Sequence, residues 1–537
     1  MSSKLIRGTF ILTLGTILSK VLGLLYIIPF KAIIGGEDAY ALYSYGYTPY
    51  TIFISIATAG VPMAVSKYIA KYNALGEYEV GQRLFRSGML VMSLTGVVSF
   101  LIMYGLSTPI AEIVLKGAET EYTIADVASV IKAVSFALIV IPAMSLIRGF
   151  FQGHQSMGPS AVSTVVEQLA RILFLLAGSF AVIFILKGSI VTAIGVATFA
   201  AFIGGIASLV VLLWYWKKRK PKLDEQLLQN KGNLHVSLGN MYKEIVVYAF
   251  PFVMVGIANP LYQFIDQLTF NRAMAAGSQA VNYLEAYGTL GLTHKLVIIP
   301  VSLATAFAMT LVPLITESFV NQDRKILFRQ LDQTLQVLLF ITLPAALGLT
   351  ILAEPFYTVF YGYSSLGTDV LKTYAPVAIL FALYSVTAAI LQGINEQRFT
   401  ILSLLTGILI KLSLNIPFIK AFGTDGAVYA TILGYFVSII INAIVIKIFA
   451  EYPLRLVFRR VILIVIFNII MLVPVYFVYL GLHSIMNPES RLQGLLLIMI
   501  CATIGAAIYG LLSLKSGLAD RLFGERLTRL KRKLGMN

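Results

Sequence analysis

Arg148-Gly149-Phe150-Phe151-Gln152-Gly153-His154, followed by an apolar segment that carries Glu167 and Arg171, decides the architecture of this chain, because a weaker copy returns further on. The second copy runs from Ala388 to Ile394 with Gln392-Gly393 in register, and the apolar segment after it carries Lys411. Held at that offset, Ile139 meets Ile379, Ser145 meets Ser385, Ser163 meets Ser403, Leu169 meets Leu409, and basic Arg171 meets basic Lys411. Two related halves are implied. Working outward, Ile56-Ala57-Thr58-Ala59 echoes Leu303-Ala304-Thr305-Ala306, Leu84-Phe85-Arg86 echoes Leu327-Phe328-Arg329, and Leu106 with Pro109 echoes Leu352 with Pro355.

These halves are built for lipid. Of the 537 residues, 58% are hydrophobic and 12% charged, a balance foreign to soluble globular domains. Apolar runs of ~20 residues, enough to cross a hydrocarbon core of ~30 Å as helices, recur throughout. The ~10-residue alternating segments of a spanning β-barrel do not appear. The spans fall near residues 9–30, 47–66, 87–106, 132–153, 160–185, 190–214, 244–270, 286–313, 331–352, 373–394, 398–419, 425–449, 461–481 and 492–514, which predicts an all-α polytopic membrane protein of fourteen helices. The first run follows Lys4 and Arg7 but is too long for a signal-peptide core and ends without a small-residue cleavage site, so it reads as a mature span. Cys501, the single cysteine, excludes an intramolecular disulfide and a cysteine-based metal site, and reads as a small buried apolar residue.

Six spans return the chain to the side where it began, so the copies run in parallel topology as two six-helix lobes. The expected organisation is an N-terminal lobe over 1–216, a linker over 217–243 that opens Lys-Lys-Arg-Lys-Pro-Lys, a C-terminal lobe over 244–449, two added spans in 450–514, and a basic amphipathic tail over 515–537. Most of the 41 Lys and Arg residues fall on the side that holds both termini, while the acids divide almost evenly. By the positive-inside rule both termini are cytoplasmic. The net charge of +16 then follows from topology, as a basic face toward anionic lipid, and requires no nucleic-acid partner.

The outer connection from Ser107 to Ile131 carries Glu112, Glu119, Glu121 and Asp126 but no arginine, which argues against a membrane glycosyltransferase. No G-x-x-x-x-G-K-[ST], H-E-x-x-H or G-x-S-x-G pattern occurs, so neither ATP hydrolysis nor the hydrolytic chemistries those patterns mark are expected. No cofactor or metal is expected. Energy would come from a proton or sodium gradient, the membrane potential, or substrate flow.

A charge near the bilayer centre costs several kcal/mol on an isolated helix, so it requires a partner or an aqueous cavity. Such charges here are Lys20, Glu167, Arg171, Asp266, Lys295 with its neighbour His294, and Lys411. Basic groups outnumber acidic ones among them, which favours an anionic substrate. Glu167 and Arg171 share one helical face at i,i+4. They form either a self-satisfied pair or a device that holds Arg171 toward a cavity. Lys20 and Lys295 have no acid one turn away and are expected to line the transport path. His294 reads as a packing or hydrogen-bonding residue rather than a proton carrier. Asp266 and Lys411 are expected to pair between helices. Prolines within the spans, among them Pro142, Pro251, Pro260 and Pro300, loosen local helix ladders.

Ser19-Lys20-Val21-Leu22-Gly23, Arg148-Gly149 with Gln152-Gly153, and Lys295-Leu296 with Pro300, in this order and within fourteen spans, resemble the multidrug/oligosaccharidyl-lipid/polysaccharide exporter superfamily. The likeness is to its polysaccharide-biosynthesis branch of the SpoVB and YtgP type, near the MurJ-type lipid II flippases. The resemblance implies a cavity of alternating access that carries the disaccharide-pentapeptide diphosphate head group of lipid II outward in a bacterial plasma membrane, with a polyprenyl-tail groove from the last two spans. It assigns the family's basic cavity residues to Lys20 and Lys295 as diphosphate contacts, with Arg171 and Lys31 beside them. Ile298 stands where such flippases place an acid, and Tyr26 where they place a second arginine. Lys411 sits where some relatives bind sodium near Asp266. A lipid II flippase acting as a monomer is therefore expected. The alternatives are a flippase for another lipid-linked glycan, a cation-coupled multidrug antiporter, and an integral-membrane glycosyltransferase.

Overall fold

The computed structural model describes residues 14–523 apart from residues 17, 59, 118–119, 233, 235, 278–281, 310–311, 454 and 488. In chain order the helices are α1 (Leu14–Ile34), α2 (Glu37–Thr58), α3 (Val61–Leu75), α4 (Tyr78–Gly105), α5 (Ser107–Leu115), α6 (Ile124–Ser135), α7 (Ala137–Gly153), α8 (Met157–Phe180), α9 (Ile190–Leu228), α10 (Leu238–Ala275) and α11 (Tyr283–Met309). They continue with α12 (Val312–Val320), α13 (Arg324–Ile351), α14 (Ala353–Tyr361), α15 (Ser365–Tyr374), α16 (Val377–Gly393), α17 (Arg398–Phe422), α18 (Thr424–Phe449), α19 (Arg455–His483), α20 (Arg491–Lys515) and α21 (Leu518–Phe523). Among the described residues no strand interrupts them. Among the described residues thirteen helical segments are long and apolar enough to cross a membrane, and most of the remaining predicted span, 286–313, lies within the 27-residue α11. The all-α polytopic architecture stands.

Contacts divide the chain into two compact units, Met1–Gly288 and Thr289–Asn537. The repeat is visible in element lengths. α4 and α13 have 28 residues each, α5 and α14 have 9, and α7 and α16 have 17. Gly153 and Gly393, the repeated glycines, end α7 and α16 against the short helix that precedes α4 or α13. A β-carbon at Gly153 would lie 2.7 Å from Ile69 Cβ and 2.9 Å from Ser66 O, and one at Gly393 would lie 3.1 Å from Thr316 Oγ1. In lipid, where apolar surface gains little by leaving the solvent, such close backbone approach is what binds helices together. The repeated motif is therefore a packing device.

Helix starts follow their caps. Ser189, Ser237, Asp323, Ser364 and Ser490 accept backbone N–H groups at the heads of α9, α10, α13, α15 and α20, and Thr123 with Asp126 forms a capping box at α6.

Three boundaries differ from the expectation. The span 47–66 is broken between Thr58 and Val61, because Pro62 has no N–H to donate and is accommodated only in the first turn of a new helix. The outer connection 107–131 is not an open loop, since α5 and most of α6 lie within it. The linker 217–243 is helical through Leu228, because its charged residues extend α9 and Pro221 does not end it. Past that helix, Lys231 N donates to Gly76 O at 3.1 Å and Glu79 N to Asn230 Oδ1 at 3.1 Å. Lys4, Arg7 and the tail beyond Phe523 lie outside the described residues.

In the first unit a core of Ala64, Tyr68, Leu84, Met241 and Ile245 joins α3, α4 and α10. In the second, α13, α19 and α20 meet around Val337, Ile464, Phe467, Met471, Leu497 and the fully buried Cys501. The added spans are thus packed on α13.

Candidate functional site

α8 carries Glu167 and Arg171 one turn apart, and Glu167 serves two cations. Arg171 Nη2 donates to Glu167 Oε1 at 3.0 Å, while Arg148 Nη2, reaching from α7, donates to Glu167 Oε2 at 2.8 Å. The Arg148 guanidinium also donates to Ser163 Oγ at 3.0 Å and to Ser208 Oγ on α9 at 2.9 Å. All three charged side chains are largely buried, at 16%, 14% and 15% exposure for Arg148, Glu167 and Arg171. α9 comes this near because residue 204 is glycine. A β-carbon there would stand 2.7 Å from Glu167 O and 3.1 Å from Arg171 Cβ.

Arg171 faces a tyrosine surface on α2. Its Nη1 donates to Tyr47 Oη at 3.2 Å, and its buried Nε has no hydrogen-bond partner. The Tyr47 ring stacks on Tyr43 at 5.3 Å, and the Tyr43 hydroxyl lies 3.3 Å from that of Tyr26. Tyr26, which stands where the resemblance led us to expect an arginine, belongs to this surface. Tyr40, Tyr43 and Tyr50 are buried, while Arg171, Tyr26 and Tyr47 are part-exposed, so one guanidinium and two phenolic hydroxyls are what this cluster offers an anion.

Lys20 lies exposed on α1 with no ion pair within 4.0 Å among the described residues. Lys31 is engaged differently, since its ammonium meets Glu37 Oε1 at 2.5 Å across the turn between α1 and α2. Asp266 is buried on α10, next to two buried amides that tie this helix to α2 and α5. Gln267 Nε2 donates to Tyr45 O at 2.9 Å, and Asn271 Nδ2 donates to Tyr45 Oη and Val114 O at 2.8 Å each. His154, just past α7, sets Nδ1 2.9 Å from Phe150 O, and burial lowers its imidazole pKa.

In the second unit, α11 carries half-buried Lys295 beside buried His294. His294 Nδ1 lies 2.9 Å from Tyr374 Oη and its ring meets Phe381 edge-on at 5.7 Å, the surroundings of a packed, hydrogen-bonded residue. Lys411, the repeat counterpart of Arg171, is 0% exposed and donates to Ala427 O and Thr431 Oγ1 at 2.8 Å each. The two counterparts thus have different neighbours, Glu167 and Tyr47 among those of Arg171, Ala427 O and Thr431 Oγ1 among those of Lys411. Among the described residues no cluster of His, Cys, Asp and Glu could hold a metal ion.

In the sequence Arg148 stands only as part of the repeated motif with Gln152 and Gly153, which does not show its place in the Glu167 network. Its signal was Ser163 and Ser208, small hydroxyls within apolar helices. The tyrosine face was also missed, although Tyr40, Tyr43, Tyr47 and Tyr50 fall at spacings of one helical face.

The repeated, all-helical membrane fold with buried cations is, by the family models and relatives it matches, that of a polytopic transporter of the multidrug/oligosaccharidyl-lipid/polysaccharide exporter superfamily. The fold is similar to a lipid II flippase MurJ structure in an inward closed conformation, with TM-score 0.68 at 16% identity over 95% of this chain and 99% of that one. It is also similar to an inward-facing multidrug resistance MATE family transporter, with TM-score 0.64 at 15% identity over 80% and 94%. A family model described as polysaccharide biosynthesis protein matches residues 5–319, and one described as lipid II flippase MurJ matches residues 173–501. The lipid II flippase MurJ of Bacillus subtilis (strain 168) is 47% identical over 542 residues, 99% of each chain. The chain belongs to the lipid II flippase MurJ family.

Proposed function

We infer that this protein is a lipid II flippase of the bacterial plasma membrane, moving the undecaprenyl-diphosphate-linked peptidoglycan precursor from the inner to the outer leaflet by alternating access. It is a transporter and performs no covalent chemistry. The observation that carries this reading is the 47% identity to a lipid II flippase across 99% of both chains. In this proposal Lys20, Lys295 and Arg171 contact the diphosphate. Ammonium groups act there as point-charge phosphate partners, and the guanidinium as a directional one. The segment 450–514 takes the polyprenyl tail, both termini are cytoplasmic, and the basic face meets anionic lipid. The protein works as a monomer, driven by the membrane potential or by a proton or sodium gradient.

The test is complementation. A cell depleted of its own flippase expresses this chain, and externally accessible lipid II is followed with the wild type, Lys20→Ala and Lys295→Ala. Rescue by the wild type that both substitutions abolish at equal membrane levels is expected. A well-inserted wild type that fails to rescue would move the cargo to another lipid-linked glycan, a reading the broader polysaccharide-biosynthesis match over 5–319 also accommodates.

A further inference from the structure

Arg148 makes three hydrogen bonds that join α7, α8 and α9, yet its guanidinium also decides how much charge the neighbouring anion site carries. We propose that Arg148 is a positioning residue that shares Glu167 with Arg171 and so leaves the Arg171 and tyrosine face with one net positive charge for an anionic head group. This inference rests on the lipid II reading above.

The charge accounting is direct. Two guanidiniums and one carboxylate sum to a single positive charge, buried among α7, α8 and α9. Without Arg148, Glu167 has Arg171 alone as its counter-ion in this network. The pair is then neutral, and a diphosphate must compete with Glu167 for the guanidinium. Without both Arg148 and Glu167, Arg171 again presents one positive charge. In the present arrangement each Glu167 oxygen takes one arginine, which fixes the carboxylate and holds Arg171 Nη1 at Tyr47, with Nε still unpartnered.

The second half of the chain supplies an internal comparison. In the repeat register Arg148 corresponds to Ala388 and Glu167 to Gly407, so the two disappear together where Lys411 stands for Arg171. Lys411 there is fully buried and donates to Ala427 O and Thr431 Oγ1. Arg148 therefore goes with the carboxylate it shares, not with the packing motif, whose Gln392-Gly393 is kept without it.

The experiment uses the full-length chain purified in detergent and fluorescent lipid II as the probe, measuring Kd across a salt series alongside flipping in vesicles. Arg148→Gln is expected to weaken binding roughly tenfold or more, at low and high salt alike, as loss of one partner of a buried charge pair does. Arg148→Lys, which keeps the charge and loses the fork, should retain most of the affinity. Arg148→Gln/Glu167→Gln should return to within roughly threefold of the wild type, the coupling expected of groups in one network. A mere brace across α7, α8 and α9 predicts otherwise: Lys as damaging as Gln, and a double variant no better than Arg148→Gln. Either result would overturn the proposal, as would Arg148→Gln binding like the wild type. If the wild type neither binds nor flips lipid II, the substrate reading falls first and takes this inference with it.

Discussion

Gln155 and Asn395 occupy the same place in the two halves, each in the left-handed backbone region just past the repeated helix, with φ of 55° and 61°. The turn around each is the same. Ser156 N donates to Phe151 O and Gln155 N to Gln152 O, while Glu396 N donates to Leu391 O and Asn395 N to Gln392 O. This paired closure satisfies the last carbonyls of α7 and α16, and glycine is its usual occupant. Asn tolerates the conformation better than Gln. Gln155→Gly is therefore expected to stabilise the protein by about 1 kcal/mol, and Asn395→Gly by less. Thermal midpoints of the purified variants check this; a midpoint lowered by Gln155→Gly would show that the side chain, exposed as it is, holds the turn.

Gly204 supports the Glu167 and Arg171 network from behind. Alanine there places its β-carbon 2.7 Å from Glu167 O, backbone that cannot swing aside as a side chain can. Gly204→Ala is expected to cost about 1–3 kcal/mol, the usual range for overpacking a close contact, and to reduce lipid II flipping beyond the loss of protein. Gly195→Ala, on the same helix with open space around its β-position, should leave both unchanged. Equal behaviour of the two variants would remove the close contact as a determinant.

The spans and the repeat were legible because they are written in composition and in order along the chain, which lipid enforces directly. Over the described residues each of the fourteen predicted spans falls on helix, with 47–66 divided between two, and the shared offset of Gln152-Gly153 and Gln392-Gly393 reappears as helices of equal length. What was not legible depends on which helices are neighbours. Arg148 meets Ser208 from 60 residues away and Arg171 meets Tyr47 from 124 away, and no periodicity within one helix predicts such meetings. The linker failed for a local reason. A run of Lys and Arg after an apolar span marks where the hydrocarbon ends, not where the helix does, and these residues, good helix formers, simply continue α9.

Lys31 is expected to brace the entrance of α2 more than to hold substrate. Its ammonium and the Glu37 carboxylate are 11% and 16% exposed, so removing one leaves the other half-desolvated. Lys31→Ala should cost about 1–3 kcal/mol, and Lys31→Ala/Glu37→Ala should recover most of that together with flipping. Stability and flipping assays on both variants decide the matter. If flipping stays lost in a double variant of normal stability, Lys31 belongs to the head-group contacts after all.

His294 separates a structural histidine from a proton carrier. It lies buried one residue before Lys295, yet its ring is committed to Tyr374 and Phe381. A carrier must gain and lose a proton during each cycle, whereas a packed ring need only keep its hydrogen bond. His294→Phe keeps the ring packing, removes the bond to Tyr374, and is expected to cost about 1 kcal/mol. The flipping rate of this variant, followed from about pH 5.5 to 8, where an ordinary histidine titrates, should keep the shape of the wild-type profile even if its height falls. Should the profile flatten while Lys295 and the fold are intact, the imidazole would instead lie on the path of a coupling proton.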